Sequence, residues 1–194
     1  MGKDIFELHA EEPIQLQWSL LLDFQIIVTI VSLLAAWKFG DWKHWELYYP
    51  TLLFTVLVNF VYNLISYNFP LWEYESPLLK TTGSDLLLNL TAFPALILLY
   101  LTHLVRLLQS QKRYVPLYLL GWIVFLASLE WTSYNLGFFS YHNGWSIWWS
   151  LLFDCIMFPV IWLHFKKPLW AVALAVFFTF LFMGHFGLPF SSMK

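Results

Sequence analysis

The stretch PLWAVALAVFFTFLFMGHF, Pro168 to Phe186, contains no lysine, arginine, aspartate or glutamate. A helix needs about 20 mostly apolar residues to cross the hydrocarbon core of a bilayer, and this run comes close to that length. Its proline stands where a helix would begin, a position at which the missing N–H had no intrahelical partner to lose. Working outward, comparable segments occur at Ile14–Trp37, Pro50–Tyr67, Ser84–His103, Pro116–Asn135 and Trp145–His164. Pro50 and Pro116 again mark expected helix starts, whereas Pro94 and Pro159 fall inside segments and predict kinks. The first segment is interrupted by Gln15, Gln17, Asp23 and Gln25, so it either spans the bilayer or lies in the interface. The expectation is an all-α polytopic transmembrane helix bundle of about six helices, five if the first is interfacial. It forms a single transmembrane domain over residues 14–190, behind an acidic extracytoplasmic tail at residues 1–13.

Composition agrees. Of 194 residues, 60% are hydrophobic and only 11% charged, where soluble domains average about 25% charged. Such a chain would leave large apolar patches in water, so the lipid bilayer is its first partner. The net charge of −2 and the lack of a long basic run exclude nucleic acid as a partner. The single cysteine, Cys155, excludes an internal disulfide and a cysteine-based metal site. The acidic start MGKDIFELHAEEP reads neither as a removable signal peptide nor as a strong myristoylation signal.

Basic residues alternate between the loops. Lys38 and Lys43 follow the first segment, Arg106, Lys112 and Arg113 the third, and Lys166 and Lys167 the fifth; the other side holds Lys3, Lys80 and Lys194. Lysine and arginine concentrate on the cytoplasmic side, so both termini are expected outside. Tryptophans fall in two sets. Trp37, Trp42, Trp45, Trp162 and Trp170 belong to the inner surface, and Trp18, Trp72, Trp145, Trp148 and Trp149 to the outer one, as two interfacial belts.

Within this frame the polar residues gather toward the outer half of the membrane. Glu130 lies about five residues, or roughly 8 Å, from the outer end of the fourth segment. Asp85 stands near the outer end of the third, with Asn89 one helical turn deeper on the same face. Asn59 and Asn63 are spaced alike in the second. Asp23 lies inside the first, Asp154 near the middle of the fifth, and His185 toward the outer end of the sixth. An aspartate at a helix centre costs about 2.5–3.5 kcal/mol on insertion scales, so such groups turn toward one another or toward water. The expectation is an acidic polar cavity facing outward and lined by Glu130, Asp154, Asp85, Asn89 and Asn63. No lysine or arginine lies at that depth, so a proton, a bound cation or an amine must balance the acids.

Plainer roles are also open. The asparagine and aspartate pairs serve equally well as interhelical hydrogen-bond glue, and Asp85 as a favourable charge at a helix start. His103 and His164, at cytoplasmic ends, fit carbonyl caps. His185 would join a proton relay or metal site if it met the acids. The Asn-Gly of YHNGW (Tyr141–Trp145) signals a tight turn.

YYPTLLF (Tyr48–Phe54), PLWEY (Pro70–Tyr74), YHNGWSIWWS (Tyr141–Ser150) and HFKKP (His164–Pro168) resemble an uncharacterised family of small multi-pass membrane proteins from spore-forming Gram-positive bacteria. The similarity runs from about Gly40 to His185. It implies a bacterial plasma membrane and brings no activity with it.

Three functional classes follow. One is a binding or transport protein for a cation, proton or small amine. Another is an intramembrane enzyme acting on a lipid or isoprenoid head group, with Glu130 and Asp154 as general acid and base, or as metal ligands with His185. Against the enzyme, H-E-x-x-H, G-x-S-x-G and aspartate-rich metal motifs are missing from the chain. The third is a structural subunit whose polar faces mate with a membrane-protein partner.

Overall fold

The computed structural model describes residues 23–188. Six helices carry it: α1 (Phe24–Phe39), α2 (Trp45–Ile65), α3 (Lys80–Ser110), α4 (Val115–Asn135), α5 (Ile147–Lys166) and α6 (Pro168–Phe186). All but α1 are long and apolar enough to cross a membrane. Two short strands, β1 (Trp72–Tyr74) and β2 (Phe139–Tyr141), pair antiparallel although they come from different interhelical connections.

The helices are inside out relative to those of a soluble protein. On α1 the buried residues are Gln25, Thr29, Ser32 and Ala36, at helical spacing, while Ile30, Val31 and Leu34 are exposed. On α5, Ser150, Asp154, Phe158, Ile161 and His164 form the buried stripe. Leu169, Trp170 and Phe180 of α6 and Leu117 and Leu120 of α4 face outward. Polar groups turned in and large apolar groups turned out suit a hydrocarbon surround, where backbone and side-chain polar groups must be satisfied internally. This is an all-α multi-pass membrane bundle.

α3 runs through its centre: every residue from Ala95 to Thr102 is buried, whereas α4 buries only Ser133. Tyr100 and Leu101 of α3 pack with Tyr48 of α2 and with Phe158 and Ile161 of α5. Hydroxyls stitch this core across helices, Tyr100 to the Phe158 carbonyl at 3.0 Å and Tyr118 to the Tyr100 carbonyl at 2.8 Å. α3 is α-helical over Lys80–Leu87, widens to a π-turn at Leu88–Ala92, and resumes at Phe93. In the wide turn the Phe93 N–H bonds the Leu88 carbonyl, five residues back. The turn lies just before Pro94, whose ring would crowd the carbonyl four residues behind it in a regular helix. The expected disturbance at Pro94 is therefore a local widening, and it places Asn89 inside it.

Several expected boundaries are corrected. Pro50 lies inside α2, not at its start, because a 3-10 turn at Trp42–His44 already leads the chain into a helix at Trp45. The third helix continues past His103 to Ser110. Asp23 does not sit within a span. It caps α1, accepting from the N–H groups of Gln25 (3.0 Å) and Ile26 (3.4 Å) and from the Ser76 hydroxyl. The rest of the first expected segment, residues 14–22, lies outside the described residues, as do the acidic tail, Trp18, Lys3 and Lys194.

The two ends of the bundle differ. The turns bearing Lys38, Lys43, Arg106, Lys112, Arg113, Lys166 and Lys167 share one end: the Asp41 N–H reaches the Thr102 hydroxyl at 3.3 Å, and the Tyr48 ring stacks on Phe165. Lys166 lies over the Trp162 ring at 4.9 Å, as an interfacial lysine would. The β-sheet closes the opposite end.

Candidate functional site

The site begins with the alternation of the two strands. Successive side chains of a strand point to opposite faces. The register pairs Trp72 with Tyr141, Glu73 with Ser140 and Tyr74 with Phe139. Trp72, Tyr74 and Phe139 therefore face into the bundle, and Glu73 and Ser140 face away. Gln25 ties the sheet to α1, its Nε2 donating to the carbonyls of Phe138 (2.8 Å) and Glu75 (3.2 Å). The Asn-Gly turn sits beside it, with Asn143 and Gly144 at φ 50° and 84° and the Trp145 N–H bonded to the His142 carbonyl at 2.9 Å. Asn143 Nδ2 anchors the turn to the Pro70 carbonyl at 2.7 Å.

Beneath the sheet lies a cavity of about 290 Å³. Glu130, Asp154, Asp85, Asn89 and Asn63 all line it, together with Asn59. Asp85 and Asn89 come from α3 on either side of the start of the π-turn, Asn59 and Asn63 from α2, Glu130 and Ser133 from α4, and Ser150 and Asp154 from α5. Among the described residues, no lysine, arginine or histidine is part of the lining. Most of the remaining wall is aliphatic or aromatic, including Tyr62, Trp72, Trp122, Trp145 and Phe182.

The partner of Glu130 is a tyrosine, not a cation. Tyr141, eleven residues along the same polypeptide, donates its hydroxyl to Glu130 Oε1 at 2.5 Å, a length typical of a charge-assisted O–H···O bond. The Ser150 hydroxyl also lies beside this carboxyl and accepts from Trp145 Nε1 at 2.9 Å. Burial, followed by the bond to Glu130, holds the Tyr141 phenol well above the usual tyrosine range. Tyr74 lines the same cavity. Burial raises its pKa first, and then the charges of Asp85, Glu130 and Asp154 add to the effect. Both phenols are thus neutral donors throughout the physiological range.

The other acids and amides behave differently. Asp154 and Asn89 are 7% and 4% exposed, and neither makes a side-chain hydrogen bond to a described residue. Asp85, Asn59 and Asn63 likewise make none, so the geometry does not show them as interhelical glue.

Other sequence expectations are corrected here. His185 does not join the acids; it is exposed and packs against the Trp149 ring at 4.5 Å. His164 caps no carbonyl. It is buried, stacks on Phe54 at 4.1 Å and pairs with the Thr51 hydroxyl at 3.0 Å, joining α5 to α2. Trp72 and Trp145 do not belong to the outer belt. Trp145 is 6% exposed and Trp72 stacks on Tyr62 at 3.9 Å, because the sheet folds both over the cavity. Trp148 is exposed, at 76%.

On the far face of the sheet Glu73, Glu75 and His142 bring their ligand atoms within 4.8 Å of one another. His142 Nε2 is 3.2 Å from Glu73 Oε2 and 2.9 Å from the Ser140 hydroxyl, which donates to Glu75 at 2.8 Å.

Comparison of the chain with protein-family models, with curated proteins and with solved structures finds no match. The functional reading therefore rests on the geometry of this site.

Proposed function

We propose that the protein is an integral membrane protein whose acidic cavity binds a cationic species, a small cation, proton or amine, entering from the side of the β-sheet. One observation carries the reading: three carboxylates from three helices line a single cavity whose wall, among the described residues, contains no basic side chain. Charged groups buried without a counter-charge are costly, and burial of a charge is tolerated only when it is paired. A cationic ligand supplies that pairing. The seven basic residues gathered at the opposite end support a cytoplasmic orientation for that end, with the sheet outside. The resemblance to membrane proteins of spore-forming bacteria supports a bacterial plasma membrane as the location.

The test is titration calorimetry of the purified protein against metal ions, protonated amines and choline-like ligands. Glu130→Gln removes charge and keeps shape, so it should weaken binding about tenfold or more while the protein stays folded. Glu130→Lys places a like charge in the site and should abolish binding. Binding unchanged by both substitutions would remove Glu130 from the site, and binding by no member of the panel would remove the reading.

A further inference from the structure

We infer that the ligand of this cavity is a protonated primary amine with an apolar body, held by N–H donation to the buried Asp154 carboxylate and by the charges of Asp85 and Glu130. The inference rests on the cation-binding reading above and narrows it.

Hydrogen-bonding capacity leads there first. Asp154 and Asn89 are more than nine-tenths buried, line the cavity, and spend no side-chain hydrogen bond on a described residue. Buried polar side chains are in the large majority hydrogen-bonded. In its ionised form Asp154 can only accept, so a ligand that holds it ionised must donate. An ammonium group offers donors and no acceptor, matching the Asp154 carboxylate and the Asn89 side-chain oxygen; a quaternary ammonium offers none.

Spacing argues against a bare divalent ion. Among the described residues, the trio whose ligand atoms lie within 4.8 Å of one another is Glu73, Glu75 and His142, on the other face of the sheet. The three cavity carboxylates form no such group. A calcium ion would gather six to eight oxygens at about 2.3–2.6 Å, and magnesium nearly ideal octahedral geometry at about 2.0–2.1 Å.

Size and wall chemistry complete the case. About 290 Å³ is far more than one ion needs and falls at the lower end of small-molecule pockets, about 300–1,000 Å³. Asp85, Glu130, Asp154 and Tyr74 supply polar parts of the wall, while Phe178 and Phe182 of α6 extend it as apolar surface. An ammonium at the first and a hydrocarbon or aryl body along the second satisfies both.

The experiment compares ligands on one unmodified protein. The purified full chain in detergent is titrated calorimetrically with butyl-, hexyl- and 2-phenylethylammonium, with the N,N,N-trimethyl counterpart of each, with 2-phenylethanol, and with potassium, magnesium and zinc ions. At least one primary amine should bind tenfold or more tighter than its trimethyl counterpart, because the trimethyl form loses charge-assisted hydrogen bonds. That amine should exceed 2-phenylethanol by a similar factor, and Asp154→Asn should remove most of the preference. Equal or tighter binding of the trimethyl forms would overturn N–H donation. Metal ions binding where no primary amine does would overturn the inference and leave the cation-binding reading standing. No binding by any of these ligands would overturn both. If Asp154→Asn fails to fold, the ligand series on the wild-type protein decides alone.

Discussion

Tyr141→Phe is the sharpest perturbation of the site. It deletes one oxygen and leaves the ring, so the stacking of this side chain on Tyr134 (5.0 Å) and its edge contact with Phe139 (5.3 Å) survive. What is lost is the 2.5 Å bond to Glu130 Oε1. Hydrogen bonds to charged groups contribute about 1.5–3 kcal/mol, and the acceptor left behind in a partly buried place adds to the cost of the deletion. The expected destabilisation is therefore about 1.5–3 kcal/mol. The assay is reversible denaturant unfolding in detergent, followed by tryptophan fluorescence, because Trp72 and Trp145 sit in the aromatic cluster beside the bond. A double-mutant cycle isolates the pair: in a Glu130→Gln background the same substitution should cost about 1 kcal/mol less than in the wild type. A cost below about 0.5 kcal/mol, or an equal cost in both backgrounds, would refute the claim that Tyr141 is the hydrogen-bond partner of Glu130 within the protein.

Further outcomes follow from other contacts. Gln25→Leu should free the two carbonyls at Glu75 and Phe138 and speed amide hydrogen exchange across both strands, with a stability loss of about 1–3 kcal/mol; unchanged exchange would show that Gln25 does not anchor the sheet. Gly40→Ala should destabilise by about 1–3 kcal/mol, since the new Cβ would lie 2.5 Å from the Ala36 carbonyl oxygen and 3.1 Å from Leu98 Cδ2. Tyr74 and Tyr141 have phenols raised above the usual value of 10, so phenolate absorbance near pH 10.5 should be the same in the wild type and in the Tyr74→Phe and Tyr141→Phe variants. By linkage, a raised pKa gives stability fully present below about pH 10 and lost as pH climbs above it toward the folded-state value, so the wild type's excess over each variant should shrink only in that alkaline range. In a Cys155→Ser background, Lys80→Cys should be labelled from outside intact cells and Lys166→Cys protected; the reverse would invert the orientation.

The bundle was legible because its signals are long. Segments such as Pro168–Phe186 and Pro116–Asn135 coincide with α6 and α4 almost residue for residue, and a helix start at proline held for both. Pro50 misled, since one missing N–H does not stop a helix that is already turning at Trp45. The five cavity residues could be counted to the outer half or the middle of the membrane, but depth does not give a direction around the helix axis. That is why His185, at a comparable height, turned outward against Trp149. The β-sheet went unread because each strand is only three residues long and its partner lies more than 60 residues away in the chain. The alternation was there, in Trp72-Glu73-Tyr74-Glu75 and in Phe139-Ser140-Tyr141-His142, with the aromatic residues at every second position. Reading it would have turned Trp72 and Trp145 inward and brought Tyr141 to Glu130.

The most direct measurement is a crystal structure with 2-(4-bromophenyl)ethylammonium, using anomalous scattering from the bromine to locate the ligand. The account expects one bromine peak inside the cavity, on the Phe178–Phe182 side, with the ammonium density at the Asp154 carboxylate. A bromine peak outside this cavity, or full ligand density with the nitrogen turned away from all three carboxylates, would contradict it.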